Sequence, residues 1–159
     1  MTTSEDSIRA VVDALGVAYA PRTFPAGTRT AADAAAAVGC DVGAIVKSLV
    51  FVADGDPVLL LVSGANRVDT ARVAAVLGAH DVRKADADEA RAATGYAIGG
   101  TPPFGHTGSG VRRVLCDPDL LAHPTVWAAA GGPTSVLPLS PADLLRAAGA
   151  EPADITERP

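Results

Sequence analysis

This 159-residue sequence is poor in the residues that most often announce covalent stapling or metal chemistry: it holds two cysteines, three histidines, one tryptophan and one methionine. Cys40 and Cys116 stand far apart in no metal or redox spacing, so they read as reduced thiols behaving as small hydrophobes rather than a disulfide framework. His80, His106 and His123 form no i, i+3 or i, i+4 pair and do not cluster with cysteine, so no metal site and no cofactor are expected. Long apolar runs are missing too. Val58-Leu59-Leu60-Leu61-Val62 is far too short to cross a bilayer, and Met1 to Asp6 lacks the basic and apolar regions of a signal peptide. A soluble, cytoplasmic chain without a membrane partner is therefore expected. Positive charge is scarce: 13 Lys and Arg stand against 18 Asp and Glu, a net charge of −5. That balance excludes a general binder of nucleic acid, including DNA, because such proteins carry a basic excess that neutralises phosphates.

What is present is a globular composition, 48% hydrophobic and 19% charged, in a length suited to one domain over residues 1–159. Ile8, Val11, Val12 and Leu15 follow helical spacing over residues 4–16, with Glu5 and Asp6 in the first turn and Gly16 as the stop. An extended stretch over 17–24 leads to a turn at Pro25-Ala26-Gly27. Thr30 with Asp33 resembles a capping box opening an alanine-rich helix that ends at Gly39. Residues 45–53 and 57–62 read as two strands joined by the hairpin signal Asp54-Gly55-Asp56. Asp69 caps a helix ending at Gly78, then a short strand over 80–85 and a short helix over 86–94 follow. Strands are expected over 111–116, 125–130 and 135–139, the last two separated by Gly131-Gly132-Pro133. Ser140-Pro141-Ala142-Asp143 starts a final helix that Gly149 closes, and residues 151–159 read as a mobile tail. Hairpins mixed with helices predict an α+β domain around a mixed, partly closed β-sheet or barrel with flanking helices.

Two features do not read as fold alone. Lys47 lies inside Ile45-Val46-Lys47-Ser48-Leu49-Val50-Phe51-Val52, a run otherwise suited to a buried strand, and an ammonium is costly to remove from water. The period of two puts Lys47 on the face of Ile45, Leu49 and Phe51 and turns Ser48 the other way. About fifty residues on, Gly99-Gly100-Thr101-Pro102-Pro103-Phe104-Gly105-His106 is too dense in Gly and Pro for a helix or regular strand. A lysine on a rigid strand and a loop exposing main-chain N–H and C=O groups can form a small anion or ester site. The bland alternatives are an edge lysine that discourages aggregation and a simple connecting loop.

These residues carry a resemblance. Thr30 to Ala35, Ile45 to Phe51, Arg67-Val68-Asp69, Thr94-Gly95-Tyr96, Gly99 to Gly105 and Leu139 to Leu145 together resemble the YbaK/EbsC-type aminoacyl-tRNA deacylases, relatives of the editing insertion domain of bacterial prolyl-tRNA synthetases. The specific parts are the lysine strand and the G-x-x-x-P loop from Gly99 to Pro103; Pro102 stands where many relatives carry Ser or Thr. The resemblance implies trans-editing hydrolysis of the ester of a mischarged tRNA carrying a small amino acid, such as cysteinyl or alanyl on a proline-type tRNA. It implies catalytic roles for Lys47, Gly99 and Gly100, and substrate contacts from Thr30, Ser48, Thr101, Pro102, Pro103, Phe104, Gly105 and His106. The partners implied are the tRNA acceptor end and an aminoacyl-tRNA synthetase or translation factor. A site that grips only the terminal nucleotide needs few cations, so the acidic balance is compatible with it. No Ser-His-Asp or Cys-His set and no G-x-S-x-G elbow is visible, and an activated ester can be hydrolysed by holding it, stabilising the oxyanion and admitting water. The competing reading is a non-catalytic module that binds tRNA ends or a synthetase.

Overall fold

Local sequence chemistry explains where each element begins and ends. The computed structural model describes residues 4–24, 30–131 and 134–158. In chain order they form α1 (Ser4–Ala14), β1 (Arg22–Thr23), α2 (Ala31–Val38), β2 (Ile45–Ala53), β3 (Asp56–Ser63), α3 (Thr70–Leu77), β4 (Val82–Lys84), α4 (Ala87–Thr94), β5 (Val114–Cys116), β6 (Val126–Ala129), β7 (Ser135–Leu139), α5 (Pro141–Ala148) and β8 (Glu151–Pro152). Short 3-10 turns at Val42–Ala44 and Pro118–Ala122 were not anticipated. Side-chain caps start four helices: Thr30 on α2, Asp69 on α3, Asp86 on α4 and Ser140 on α5, with reciprocal capping boxes at Thr30/Asp33 and Asp86/Glu89. The expected turn at Pro25-Ala26-Gly27, and Gly132-Pro133 of the later one, lie outside the described residues. The strand expected over 111–116 shortens to β5.

The centre is the β2–β3 hairpin, whose turn places Asp54 at φ 48° and Gly55 at φ 86°, the doubly left-handed pair that matches strand twist. One mixed sheet results, ordered β1-β7-β6-β2-β3-β5-β8, with β4 paired to β2 as well. It runs as an open path with β1 and β8 at its ends. Strand β2 pairs with β3 over the antiparallel register Val46↔Ser63 to Ala53↔Asp56. Its other edge is divided: β6 runs parallel at Ile45 and Val46, and β4 runs antiparallel at Phe51, Val52 and Ala53. The stretch 47–50 lies in the gap between them.

The pleat sorts the core. Val46, Val50 and Val52 join Leu59 and Leu61 in a cluster with Ile8, Val12, Phe104, Leu120 and Leu144. From the opposite face Phe51 and Ala53 join Leu60, Val62, Val73, Leu115 and Ile155. Ile45 meets Ala34 and Ala35 of α2, whose small side chains let the helix sit close to the sheet. No described helix is long and apolar enough to cross a membrane.

The carboxy-terminal segment corrects the expectation of a mobile tail over residues 151–159. Glu151–Pro152 extends the sheet beside β5, the Ala153 N–H donates to Cys116 O, the Asp69 N–H donates to Ile155 O, and the Glu157 N–H donates to Arg67 O. Ile155 and Thr156 are fully buried, and Arg158 pairs with Asp119 and Asp154. A terminal position suggests a tail, but strand pairing, main-chain hydrogen bonds and the buried Ile155 anchor the described residues of this segment. Ile155→Ala should cost about 3 kcal/mol of unfolding free energy, the usual price of truncating a buried branched side chain; denaturant unfolding checks this, and a change below about 1 kcal/mol would mean the segment is not anchored there.

Candidate active site

The divided edge of β2 creates the site. In the β2–β3 ladder, main-chain groups alternate in direction. The Leu59 N–H donates to Arg113 O and Leu61 O accepts from the Asp117 N–H, so Leu59 and Leu61 face β5 while Val58, Leu60 and Val62 face β2. Odd-numbered residues of β2 are therefore engaged with β3, and even-numbered ones face the divided edge. Val50 O accepts from the Ala85 N–H at 3.1 Å beside β4, and Val46 pairs with β6. Ser48 falls between, and neither neighbouring strand reaches it.

A cavity of about 280 Å³ occupies this gap. From the Lys47 side its wall includes Thr30, Ala31 and Ala34 of α2, Ile45, Leu49 and Trp127; Ala85 and Ala90, which share the core cluster of Val46 and Val50, wall it from the Ser48 side. The loop after α4 contributes Ile98, Gly99 and Thr101, and β6 and β7 add Ala129, Ser135 and Val136. Lys84, at the end of β4, is the second cation at the cavity among the described residues. No carboxylate among the described residues lines it.

Lys47 is half-buried and held by a relay of polar groups. Its Nζ donates to Asn66 O at 2.5 Å. The Asn66 side chain is clamped, its Nδ2 donating to Asp117 Oδ2 at 2.8 Å and to Asp119 Oδ2 at 2.7 Å. Asp117 is completely buried and also accepts the main-chain N–H groups of Ser63 (3.1 Å) and Asp119 (3.0 Å). A buried carboxylate of this kind is stable only when its lone pairs are filled, as here. Burial, and then the charge of Arg67, hold the Lys47 ammonium below its ordinary pKa; Asp117 opposes this and Lys84 adds to it. An ammonium has three donors, so beyond Asn66 O it retains capacity for a ligand.

The Gly/Pro loop divides into two parts. Gly99, at φ 92°, leaves open space where a Cβ would stand, so its backbone is approachable from the cavity. The Gly100 N–H and the Thr101 hydroxyl both donate to Ala97 O at 3.1 Å, which closes the turn. Downstream residues serve packing. Phe104 is buried in the main core, Gly105 lies against α1 where a Cβ would meet Ile8 main chain at 3.1 Å, and Gly105 O accepts from the Tyr96 hydroxyl at 3.0 Å. His106 Nε2 is 2.8 Å from Pro102 O, and its ring meets Tyr96 edge-on; burial holds this imidazole below its usual pKa against that hydrogen bond.

Of the residues anticipated for the site, Thr30, Lys47, Ser48, Gly99 and Thr101 line the cavity, whereas Gly100, Pro102, Pro103, Phe104, Gly105 and His106 do not. Thr30 also caps α2 through the Asp33 N–H at 3.0 Å. Trp127, Ile98, the alanine wall, Asn66 and Asp117 were not anticipated. Parallel pairing of β6 with β2, which seats Trp127 beside Ile45, leaves no mark in local sequence. Burial pushes the Cys116 thiol up to about 12 and raises Cys40 as well, so both stay protonated.

Comparisons with known proteins identify the family and the fold. The family model described as the aminoacyl-tRNA editing domain matches residues 25–147, a span that contains the whole cavity. A solved structure of a candidate trans-editing enzyme for prolyl tRNA synthetase is 41% identical, superposes with a TM-score of 0.88 and covers 99% of each chain. The protein YwhH of Bacillus subtilis strain 168 is 32% identical over 122 residues, 76% of each chain. The proline–tRNA ligase of Nitratidesulfovibrio vulgaris strain DP4 is 35% identical over 94 residues, 59% of this chain but 16% of the ligase.

Proposed function

This chain belongs to the aminoacyl-tRNA editing domain family, and from that premise we propose that it is a deacylase hydrolysing the ester between a small, wrongly attached amino acid and the terminal ribose of a tRNA. Cysteinyl and alanyl groups on a proline-type tRNA are the substrates in view. The observation that carries the reading is that Lys47 and the loop residues Gly99 and Thr101, about fifty residues apart in sequence, line one cavity. The substrate is the acceptor end of the mischarged tRNA in the cytoplasm, delivered with or without a synthetase or translation factor.

In this reading water adds to the ester carbonyl, the negative charge on its oxygen is stabilised by N–H donors, and the bond to the ribose oxygen breaks to release free amino acid and tRNA. Lys47 contributes a compact positive charge at the terminal phosphate or ester, and the Gly99 backbone lets the acyl group come close. The apolar wall of alanines, Ile45, Trp127 and Val136 suits a small side chain, because a pocket of fixed size rejects larger groups by overlap. Single-turnover hydrolysis across a panel of mischarged tRNAs tests this: alanyl or cysteinyl esters should be cleaved at least about tenfold faster than leucyl or phenylalanyl ones. Binding of tRNA ends without turnover of any ester would favour a silent recognition module.

A further inference from the structure

We propose that the open edge of β2 at Ser48 is a one-residue strand-pairing site, which takes the α-amino N–H and the ester carbonyl of the substrate's amino acid irrespective of its side chain. The proposal rests on the deacylase reading and deepens it. Ser48 presents three polar groups to the gap. Its main-chain N–H and C=O face away from β3, beyond the reach of β6 at Ile45 and Val46 and of β4 at Phe51–Ala53, and its buried hydroxyl has no hydrogen-bond partner among the described residues. Main-chain N–H and C=O groups on a sheet edge are satisfied by a neighbouring strand, by water or by a ligand, and on this cavity-lining residue they offer a ligand one donor and one acceptor side by side.

The geometry also specifies the ligand. In an antiparallel ladder, a hydrogen-bonded pair of residues exchanges two bonds, each residue supplying one N–H and one C=O. An aminoacyl ester carries both groups on a single residue, so it can complete the pair with Ser48 alone and needs no longer peptide. Among the described residues no carboxylate lines the cavity to take the amino group as an ion pair, and the Ser48 carbonyl is the acceptor that the strand edge offers it. Recognition of the shared α-amino and carbonyl groups is thereby separated from recognition of the side chain, which falls to the apolar walls.

The test compares alanyl, lactyl and propionyl esters of one proline-accepting tRNA on the unaltered protein, with each uncatalysed rate subtracted. The lactyl ester keeps a donor on the α-carbon and the propionyl ester has none. Lactyl turnover should stay within about fivefold of alanyl, and propionyl turnover should fall by about 30-fold, the expected loss for one buried hydrogen bond. Equal rates for alanyl and propionyl esters would overturn the strand-pairing site and leave the deacylase reading standing. A second readout does not need turnover: the Ser48 amide resonance should move with the 3′-alanylamide of adenosine, whose carbonyl accepts its N–H, and an amide unmoved at saturating analogue overturns the proposal. Ser48→Pro removes an N–H that the sheet ladder does not use, so the variant should fold and lose about 30-fold in alanyl turnover; full activity of the folded variant overturns the assignment.

Discussion

Lys47→Ala should lower single-turnover deacylation about a thousandfold, while the protein keeps or slightly raises its melting temperature. The two effects have separate causes. The charge lines the proposed ester site, and removing one such stabilising group from a half-buried position removes contacts that grow as charge develops. Stability moves the other way because burial and Arg67 hold the folded-state pKa of Lys47 below the unfolded value, so the unfolded chain binds the proton more tightly. That opposition to folding is fully present at neutral pH and fades as pH rises from the depressed folded value toward the ordinary lysine value. The stability gap between Lys47→Ala and the parent should therefore narrow in alkaline buffer. Lys47→Arg should also be impaired, since a planar guanidinium does not reproduce a compact charge against Asn66 O. A folded Lys47→Ala protein with near-parental turnover would remove the lysine from the mechanism.

The second large effect is expected at Asp117, which lies outside the cavity. Asp117→Ala should destabilise the fold by about 4 kcal/mol, because Ser63 N–H, Asp119 N–H and Asn66 Nδ2 lose a buried acceptor together. For a domain of this size that corresponds to a fall of roughly 10 °C or more in melting temperature. Activity should fall in the protein that remains folded, since Asn66 then no longer holds its carbonyl opposite the ammonium. Asp117→Asn separates position from charge. It keeps one acceptor in place and removes the negative charge that raises the Lys47 pKa, so the alkaline limb of turnover should begin at lower pH than in the parent. An unshifted limb would show that Asp117 acts through structure alone.

The fold was legible wherever a local rule controls it. The caps at Thr30, Asp69, Asp86 and Ser140 sit where the sequence puts them, and β2 and β7 match the expected spans. Period-two alternation assigned Lys47 to the Ile45, Leu49 and Phe51 face, which the division of Val46 and Val50 from Phe51 between two core clusters bears out. Non-local partners were not legible. Ile155 finds its slot only because β5 and Val68 are beside it, and the gap at Ser48 exists only because β4 and β6 stop short of each other on the same edge. The same limit applies to the loop: composition marked residues 99–106 as one unit, but packing on α1 takes Phe104 and Gly105 into the core and leaves Gly99 and Thr101 at the cavity.

Five of the side chains around the cavity are alanines: Ala31, Ala34, Ala85, Ala90 and Ala129. Each offers a single methyl group on a helix, a strand or a strand end, and none belongs to the Asn66 bracket behind Lys47. The chemistry and the aperture are thus carried by different residues. If the proposed deacylase reading holds, point changes on α2, α4 or β6 retune which acyl groups enter, one methylene at a time, apart from Lys47 and its bracket.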